Sequence, residues 1–218
     1  MKVLNCYAGI GGNRKLWEDV EVTAIENKPE IAAIYQDFFP GDKVIVTDAH
    51  EYLLEHFKEY DFIWSSPPCP SHSRARFWGS FGEGKTLIYP DMKLYQEIIF
   101  LTHYCKKKWV IENVIGYYEP LIIPQKIARH YFWANFNISD IKSSTMFFPK
   151  DSLPTLQKIY GVELSNYDLG KLNIDKRVIL RNMVNPELGF HILNCALNTF
   201  KSIPGYYKQE SLIMEGID

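Results

Sequence analysis

A chain of 218 residues, 46% hydrophobic and 23% charged, has material for one sizeable core and the polarity of an ordinary soluble domain. Its net charge of −2 offers nucleic acid no general attraction, so any such contact has to come from local basic clusters. No apolar run approaches the roughly 18 residues of a spanning helix, and the first residues begin a strand rather than a signal peptide. A cytoplasmic protein without membrane contact is expected.

Lys2 to Tyr7 reads as a strand that runs into the turn Ala8-Gly9-Ile10-Gly11-Gly12-Asn13, with a helix N-terminus expected at the turn. Glu21 to Ile25 is a second strand ending on Glu26. Pro29 opens a helix with Ile31, Ile34, Tyr35 and Phe38 on one face, and Pro40 stops it. Lys43 to Thr47 forms a third strand ending at Asp48-Ala49, and His50 to Tyr60 a second helix. Asp61 to Trp64 is a fourth strand. Residues 70–90 carry Ser, Arg and Gly without period and read as a long loop. Leu94, Ile98, Leu101 and Cys105 mark a helix, Trp109 to Ile111 a fifth strand ending at Glu112-Asn113, and His130 to Phe136 a sixth. This alternation predicts an α/β chain on a mostly parallel sheet covered on both faces. Residues 137–178, with Pro149 and Pro154, break the rhythm and read as a small insertion. After them Asn185-Pro186 opens a closing helix that should be largely buried.

The segment Ser65-Ser66-Pro67-Pro68-Cys69-Pro70 puts a cysteine between prolines at the end of a strand. Each proline fixes its own φ and pushes its predecessor toward extended geometry, so the segment is stiff. Strand carboxyl ends are where open α/β sheets place their chemistry, and an ionised cysteine is a strong nucleophile. Gly9, Gly11 and Gly12 allow close backbone approach to a ligand, but their spacing is not that of the dinucleotide fingerprint, which disfavours an oxidoreductase. Glu26 is placed to accept from ribose hydroxyls and Asp48 from an adenine amino group, while either could be a plain helix cap. Together they outline a pocket for an adenosine with an amino-acid tail. The four cysteines and six histidines show no ligand spacing, so no metal is indicated. Three basic clusters are compatible with a phosphate-facing side: Arg74 and Arg76; Lys126, Arg129 and His130; Lys171, Lys176, Arg177 and Arg181.

In order along the chain these residues resemble the DNA cytosine-5 methyltransferases. Tyr7-Ala8-Gly9-Ile10-Gly11-Gly12 is similar to the family's F-x-G-x-G-G, and Pro67-Pro68-Cys69 matches its P-P-C nucleophile motif, followed by Ser71 and Ser73. Glu112-Asn113-Val114 matches E-N-V. Arg129 stands at the second arginine of Q-x-R-x-R, and Arg181-Asn182-Met183-Val184 resembles G-N-x-V. The resemblance implies a Rossmann-like class I methyltransferase fold, S-adenosylmethionine as methyl donor, S-adenosylhomocysteine as product and double-stranded DNA as partner. It implies Cys69, Glu112 and Arg129 as catalytic residues. The donor would lie against Tyr7, Ala8, Gly9, Gly11, Gly12, Glu26, Asn27, Asp48, Ala49, Pro67, Asn182 and Val184. Ser71, Ser73, Arg74 and Arg76 would meet DNA beside a flipped-out base, on a loop that closes over it. His72, Arg74 or Arg76 would lower the thiol pKa of Cys69 through positive charge.

The resemblance divides the chain into a catalytic domain over residues 1–136, a short target-recognition insertion over 137–178 and a C-terminal helix over 179–218 that returns to the catalytic domain. Departures are Asn5-Cys6 for Asp-Leu, Pro70 for glutamine, His72 for phenylalanine, Ile127 for the first arginine and Arg181 for glycine. Only 52 residues separate Arg129 from Asn182, room for a short recognition element, with a monomer or a partner subunit for target recognition both open. Such a chain would suit a bacterial cell or one infected by phage, in restriction protection, nuclease evasion or regulation. The rivals are a methyltransferase acting on transfer RNA, disfavoured because the insertion has no Cys-Phe-Thr tripeptide, and a catalytically silent DNA-binding relative.

Overall fold

The computed structural model describes residues 1–81, 86–141, 152–170 and 175–198. Pro149, Lys171 and residues 199–218 lie outside that set. Among the described residues seven strands are present: β1 (Lys2–Cys6), β2 (Glu21–Glu26), β3 (Lys43–Val46), β4 (Phe62–Ser65), β5 (Lys108–Val114), β6 (Gln125–Ile127) and β7 (His130–Ala134). Seven α-helices accompany them: α1 (Pro29–Phe38), α2 (Ala49–His56), α3 (Arg74–Gly79), α4 (Lys93–Tyr104), α5 (Leu153–Tyr160), α6 (Lys176–Arg181) and α7 (Pro186–Leu197). One sheet contains every strand, in the order β3-β2-β1-β4-β5-β7-β6. The pairs among β1 to β5 are all parallel, and β7 runs antiparallel to both its neighbours. The expected Rossmann-like α/β fold is therefore present. Its strand order reverses between β1 and β4, where such sheets open a crevice at their carboxyl ends.

Side-chain alternation sends the strands' apolar residues to both faces. Leu4, Ile63, Trp109 and Ile111 join Leu53 of α2 and Leu94, Ile98 and Leu101 of α4 on one face. Val3, Val22, Phe62, Trp64, Val110 and Phe132 join Leu188, Ile192 and Leu193 of α7 on the other. Trp64, Phe62 and Phe132 are wholly buried there, and each such side chain contributes about 1.5–3 kcal/mol of burial. The same alternation decides where the polar strand ends point. Glu112 shares the face of Val110 and α7, whereas Asn113 and Ser65 share the face of α4.

The structure differs from the expectations in four places, each for a local reason. No helix follows the glycine turn. Residues 11–17 form successive tight turns, with the N–H groups of Arg14, Lys15 and Trp17 each donating to a carbonyl three residues back. Glycine is a poor helix former, and Asn13 is held away from helical packing by its Nδ2, which donates to Asn5 Oδ1 at 2.8 Å. The presumed loop 70–90 contains α3, six residues too short to show a period. Three-residue β6 was likewise too short to read and forms a hairpin with β7. The insertion holds α5, opened by Ser152 and closed by left-handed Gly161. Its Leu156 and Tyr160 pack against Ile31 and Ile34 of α1 and against Ile10.

Helix α7 begins with Asn185 Oδ1 accepting from the N–H groups of Glu187 and Leu188. It lies against the first turn: a methyl group on Gly189 would come within 2.6 Å of the Asn13 Cα. Trp17 Nε1 donates to the Gly189 carbonyl at 3.1 Å. Alanine would favour the helix by about 1 kcal/mol, but backbone cannot yield as a side-chain tip can. Gly189→Ala should therefore destabilise the chain by about 1–3 kcal/mol in urea unfolding.

Candidate active site

Proline stiffness alone does not fix where Cys69 sits. The carbonyl of Pro67 accepts from Asn113 Nδ2 at 3.0 Å, while Asn113 Oδ1 accepts from the Val114 N–H at 2.9 Å. Asn113 is 1% exposed, so both bonds are shielded from water and pin the cysteine segment to the end of β5. Beyond the cysteine the chain turns back, with the His72 and Ser73 N–H groups both donating to the Cys69 carbonyl at 3.0 Å. Ser73 then pairs with Gly116 as an isolated bridge.

The thiol of Cys69 is pushed up to about 11, first by burial and then by the nearby Glu112 carboxylate. The expectation that His72, Arg74 or Arg76 would lower it is not met. His72 is buried with Nδ1 2.6 Å from the Tyr118 hydroxyl, and burial pushes its own pKa down, so it is neutral at pH 7. Arg74 Nε donates to the Gly116 carbonyl at 2.8 Å, which directs the arginine to the 116–118 loop. Arg76 is exposed.

Glu112 is 7% exposed, and its Oε1 lies 2.6 Å from His130 Nδ1 at the start of β7. Sequence reasoning missed His130 as a site residue. The signal that could have found it is the antiparallel hairpin, which sets His130 opposite Val114 and beside Glu112. Arg129 occupies the β6–β7 turn after Ala128, whose φ is 52°, and is exposed. Its charge is felt by the Tyr160 hydroxyl of α5.

On the donor side, Tyr7 follows β1 in a left-handed conformation, with φ 56°. The Ala8 N–H donates to the Ile25 carbonyl at 2.9 Å, joining the turn to β2. The three glycines divide by environment. Gly9 has φ 55° and nothing within 4 Å of where a side chain would begin, so open space adjoins it. Gly11 and Gly12 instead face protein. A methyl on Gly11 would strike Phe39 and Tyr35, and one on Gly12 would come within 2.5 Å of the Val184 carbonyl oxygen. Close approach to a ligand is the role open to Gly9 alone; at the other two the close neighbour is the fold itself.

Glu26 accepts from the Gly9 N–H at 3.1 Å and from the Lys28 N–H at 3.0 Å, one bond to each carboxylate oxygen. Asp48 caps α2 through Oδ1, which accepts from His50 and Glu51, while Oδ2 lies 3.5 Å from Lys93 Nζ. Asn27 is exposed and Ala49 buried at the ends of these two strands. Asn182 closes α6 with its backbone and is exposed; Val184 is buried. Of the remaining residues, Ser71 Oγ accepts from the Asp91 N–H at 3.0 Å. Ser73 precedes α3 without a side-chain capping bond.

Among the described residues no helix is long and apolar enough to cross a membrane, and no group of three or more metal-ligating side chains occurs.

Comparison with known proteins gives this geometry a family. Residues 1–120 match the model for C-5 cytosine-specific DNA methylase, more than half of the chain. The chain belongs to that family. Curated protein sequences give no match. Among solved structures it is similar to DNMT2 of Spodoptera frugiperda, at 20% identity and TM-score 0.45, covering 78% of this chain and 61% of that one. It is also similar to a protein proposed to be a DNA modification methyltransferase, encoded within an Escherichia coli prophage. There identity is 18% and TM-score 0.40, with 64% of this chain and 49% of that one covered. A hypothetical protein of Thermus thermophilus matches at 17% identity and TM-score 0.38, over 61% of this chain and 73% of that one. The chain thus spans less than two thirds of the DNMT2 and prophage proteins.

Burial and Glu112 both oppose thiolate formation, which gives a direct test. Alkylation of Cys69 by iodoacetamide, followed by peptide mass mapping, should rise with pH toward a midpoint near 11. Glu112→Gln should move that midpoint down while burial keeps it above that of an exposed thiol. A midpoint below that of a free cysteine would contradict the described site.

Proposed function

We propose that the chain methylates carbon 5 of cytosine in double-stranded DNA, using S-adenosylmethionine and a transient bond from the Cys69 sulfur to carbon 6. The observation that carries this reading is the juxtaposition of a thiol on the segment just past the end of β4 with a buried carboxylate of the neighbouring parallel strand β5 that perturbs it. S-adenosylmethionine supplies an electrophilic methyl on a sulfonium, releasing S-adenosylhomocysteine, and this chemistry needs no metal. The donor side fits that group: open space at Gly9, and a Glu26 carboxylate whose two oxygens each carry one backbone bond and keep a lone pair for ribose hydroxyls. Asn27, Asp48 and Ala49 would border the adenine. Tyr7, Ala8 and Pro67 would line the approach to the methyl group, with Gly11, Gly12, Asn182 and Val184 shaping the turn from behind.

Cytosine carbon 5 is too weak a nucleophile to take the methyl unaided. The Cys69 thiol gives its proton to water and its sulfur adds to carbon 6, driving the ring's electron pair toward carbon 5, while Glu112, protonated from solvent as the base docks, hands that proton to ring nitrogen 3. Arg129 would offset charge developing on the ring oxygen. After methylation the carbon 5 proton passes to a base, sulfur departs with its electron pair and Glu112 recovers its proton. A Glu112 that takes up a proton as the base docks no longer opposes the thiolate before that proton is passed to the ring, so docking of the base and activation of the nucleophile assist each other. His130 holds the carboxyl group during this exchange.

A base inside the stack cannot reach Cys69, so it must be flipped out. Ser71, Ser73, Arg74 and Arg76 would contact phosphates beside it, in a chain acting alone or with a partner subunit. We assign residues 1–136 to catalysis, 137–178 to target recognition and 179–218 to the segment that returns to the catalytic domain. DNA is favoured over transfer RNA because the RNA-directed tripeptide is missing, and a silent relative has no need of Cys69, Glu112 and Arg129 together. Labelled donor offered with genomic DNA or with transfer RNA should mark DNA, and Cys69→Ala should lower transfer by more than about 10⁴-fold with donor binding retained. Unchanged transfer in that variant, or label on RNA alone, would overturn the assignment.

A further inference from the structure

Glu97 has no part in the chemistry above, yet it is the one carboxylate of the described residues with no exposed surface at all. Burying a carboxyl group is costly unless every lone pair finds a donor, so its surroundings are informative. It projects from α4 into the carboxyl ends of three strands. The Ser65 hydroxyl, at the end of β4, donates to Oε2 at 2.6 Å. The Tyr7 hydroxyl, at the end of β1, donates to Oε1 at 2.7 Å. His50 Nδ1, in the first turn of α2 after β3, lies 3.0 Å from the same oxygen. The Glu97 bond raises the His50 pKa, which favours imidazolium as the third donor. Tyr7 stays a phenol, its pKa raised by burial and then by Glu97.

The three partners belong to different halves of the site. Tyr7 starts the turn that contains Gly9, on the donor side. Ser65 is the last residue of the strand that leads through Pro67 to Cys69, on the nucleophile side. We propose that Glu97 is a positioning residue that couples the donor turn to the nucleophile segment, so that a change on either side is felt on the other. A carboxylate suits this task because its two oxygens can accept from both segments at once, and the segments meet at the switch between β1 and β4. An amide in its place would turn one acceptor into a donor against Ser65 or Tyr7. The inference rests on the functional reading above, which supplies the donor and the base.

The test uses the full chain and two separate readouts. Calorimetry gives the Kd for S-adenosylmethionine, and tritium release from genomic DNA labelled at cytosine carbon 5 reports sulfur addition without methyl transfer. Ser65→Ala should weaken donor binding about fivefold or more although Ser65 lies on the nucleophile strand, and Tyr7→Phe should slow tritium release by a similar factor. Glu97→Gln should impair both, and adding either second substitution to it should change little further. If Ser65→Ala and Tyr7→Phe each disturb only their own side, the coupling is refuted, whether or not Glu97→Gln folds. A wild-type chain that neither binds donor nor releases tritium would instead refute the functional reading, and the inference with it.

Discussion

Burial and the Glu112 carboxylate both oppose ionisation of the Cys69 thiol, and the candidate site is organised around that opposition. Cys69 and Glu112 are brought together by parallel pairing of β4 with β5, and Asn113 locks the arrangement by bonding the Pro67 carbonyl. With burial added, the thiol at rest stays protonated well above neutral pH. A resting nucleophile of this kind is protected from stray alkylation and oxidation. Under the proposed mechanism it becomes reactive only when a ring docks on Glu112 and that carboxyl group carries a proton. The departure from the expected arginine or histidine activation thus has a physical counterpart: the relevant charge is one to be removed, not one to be added.

The scaffold around this pair is rigid for reasons visible in its packing. Glycines at 12 and 189 let the segment Met183–Val184 and helix α7 lie directly on the first turn, backbone against backbone. Lys15 Nζ donates to the carbonyls of Tyr160 and Gly161 at the end of α5, where helix carbonyls lack partners within the helix itself. The first turn is therefore held from behind by three segments distant in sequence, while its Gly9 side stays open.

Much of this was legible in the sequence, because it depends on local signals. Alternating strands and helices, proline at the first turn of α1 and α7, and the glycine turn all act over a few residues and were legible, although the helix expected over His50 to Tyr60 ends at His56 and finishes as a 3-10 turn over Phe57–Glu59. The family motifs carried Cys69 and Glu112. What escaped notice was set by distant pairing. β6 and α3 are too short to show a period, His130 meets Glu112 only through a hairpin, and Glu97 looks like one more polar residue on a helix until three strand ends close on it. The assumption that a helix follows the first strand failed because Asn5 and Asn13 bond each other and α7 occupies the adjoining space.

The central claim is a covalent bond between Cys69 and cytosine, and fluorine at carbon 5 tests it most directly by blocking the final proton loss. Genomic DNA substituted with 5-fluorocytosine, incubated with the chain and S-adenosylmethionine, should give a denaturant-resistant complex whose peptide map places the nucleotide on Cys69, and none with Cys69→Ala. Persistent absence of that complex in a chain that binds donor, or its formation in the alanine variant, would contradict the account.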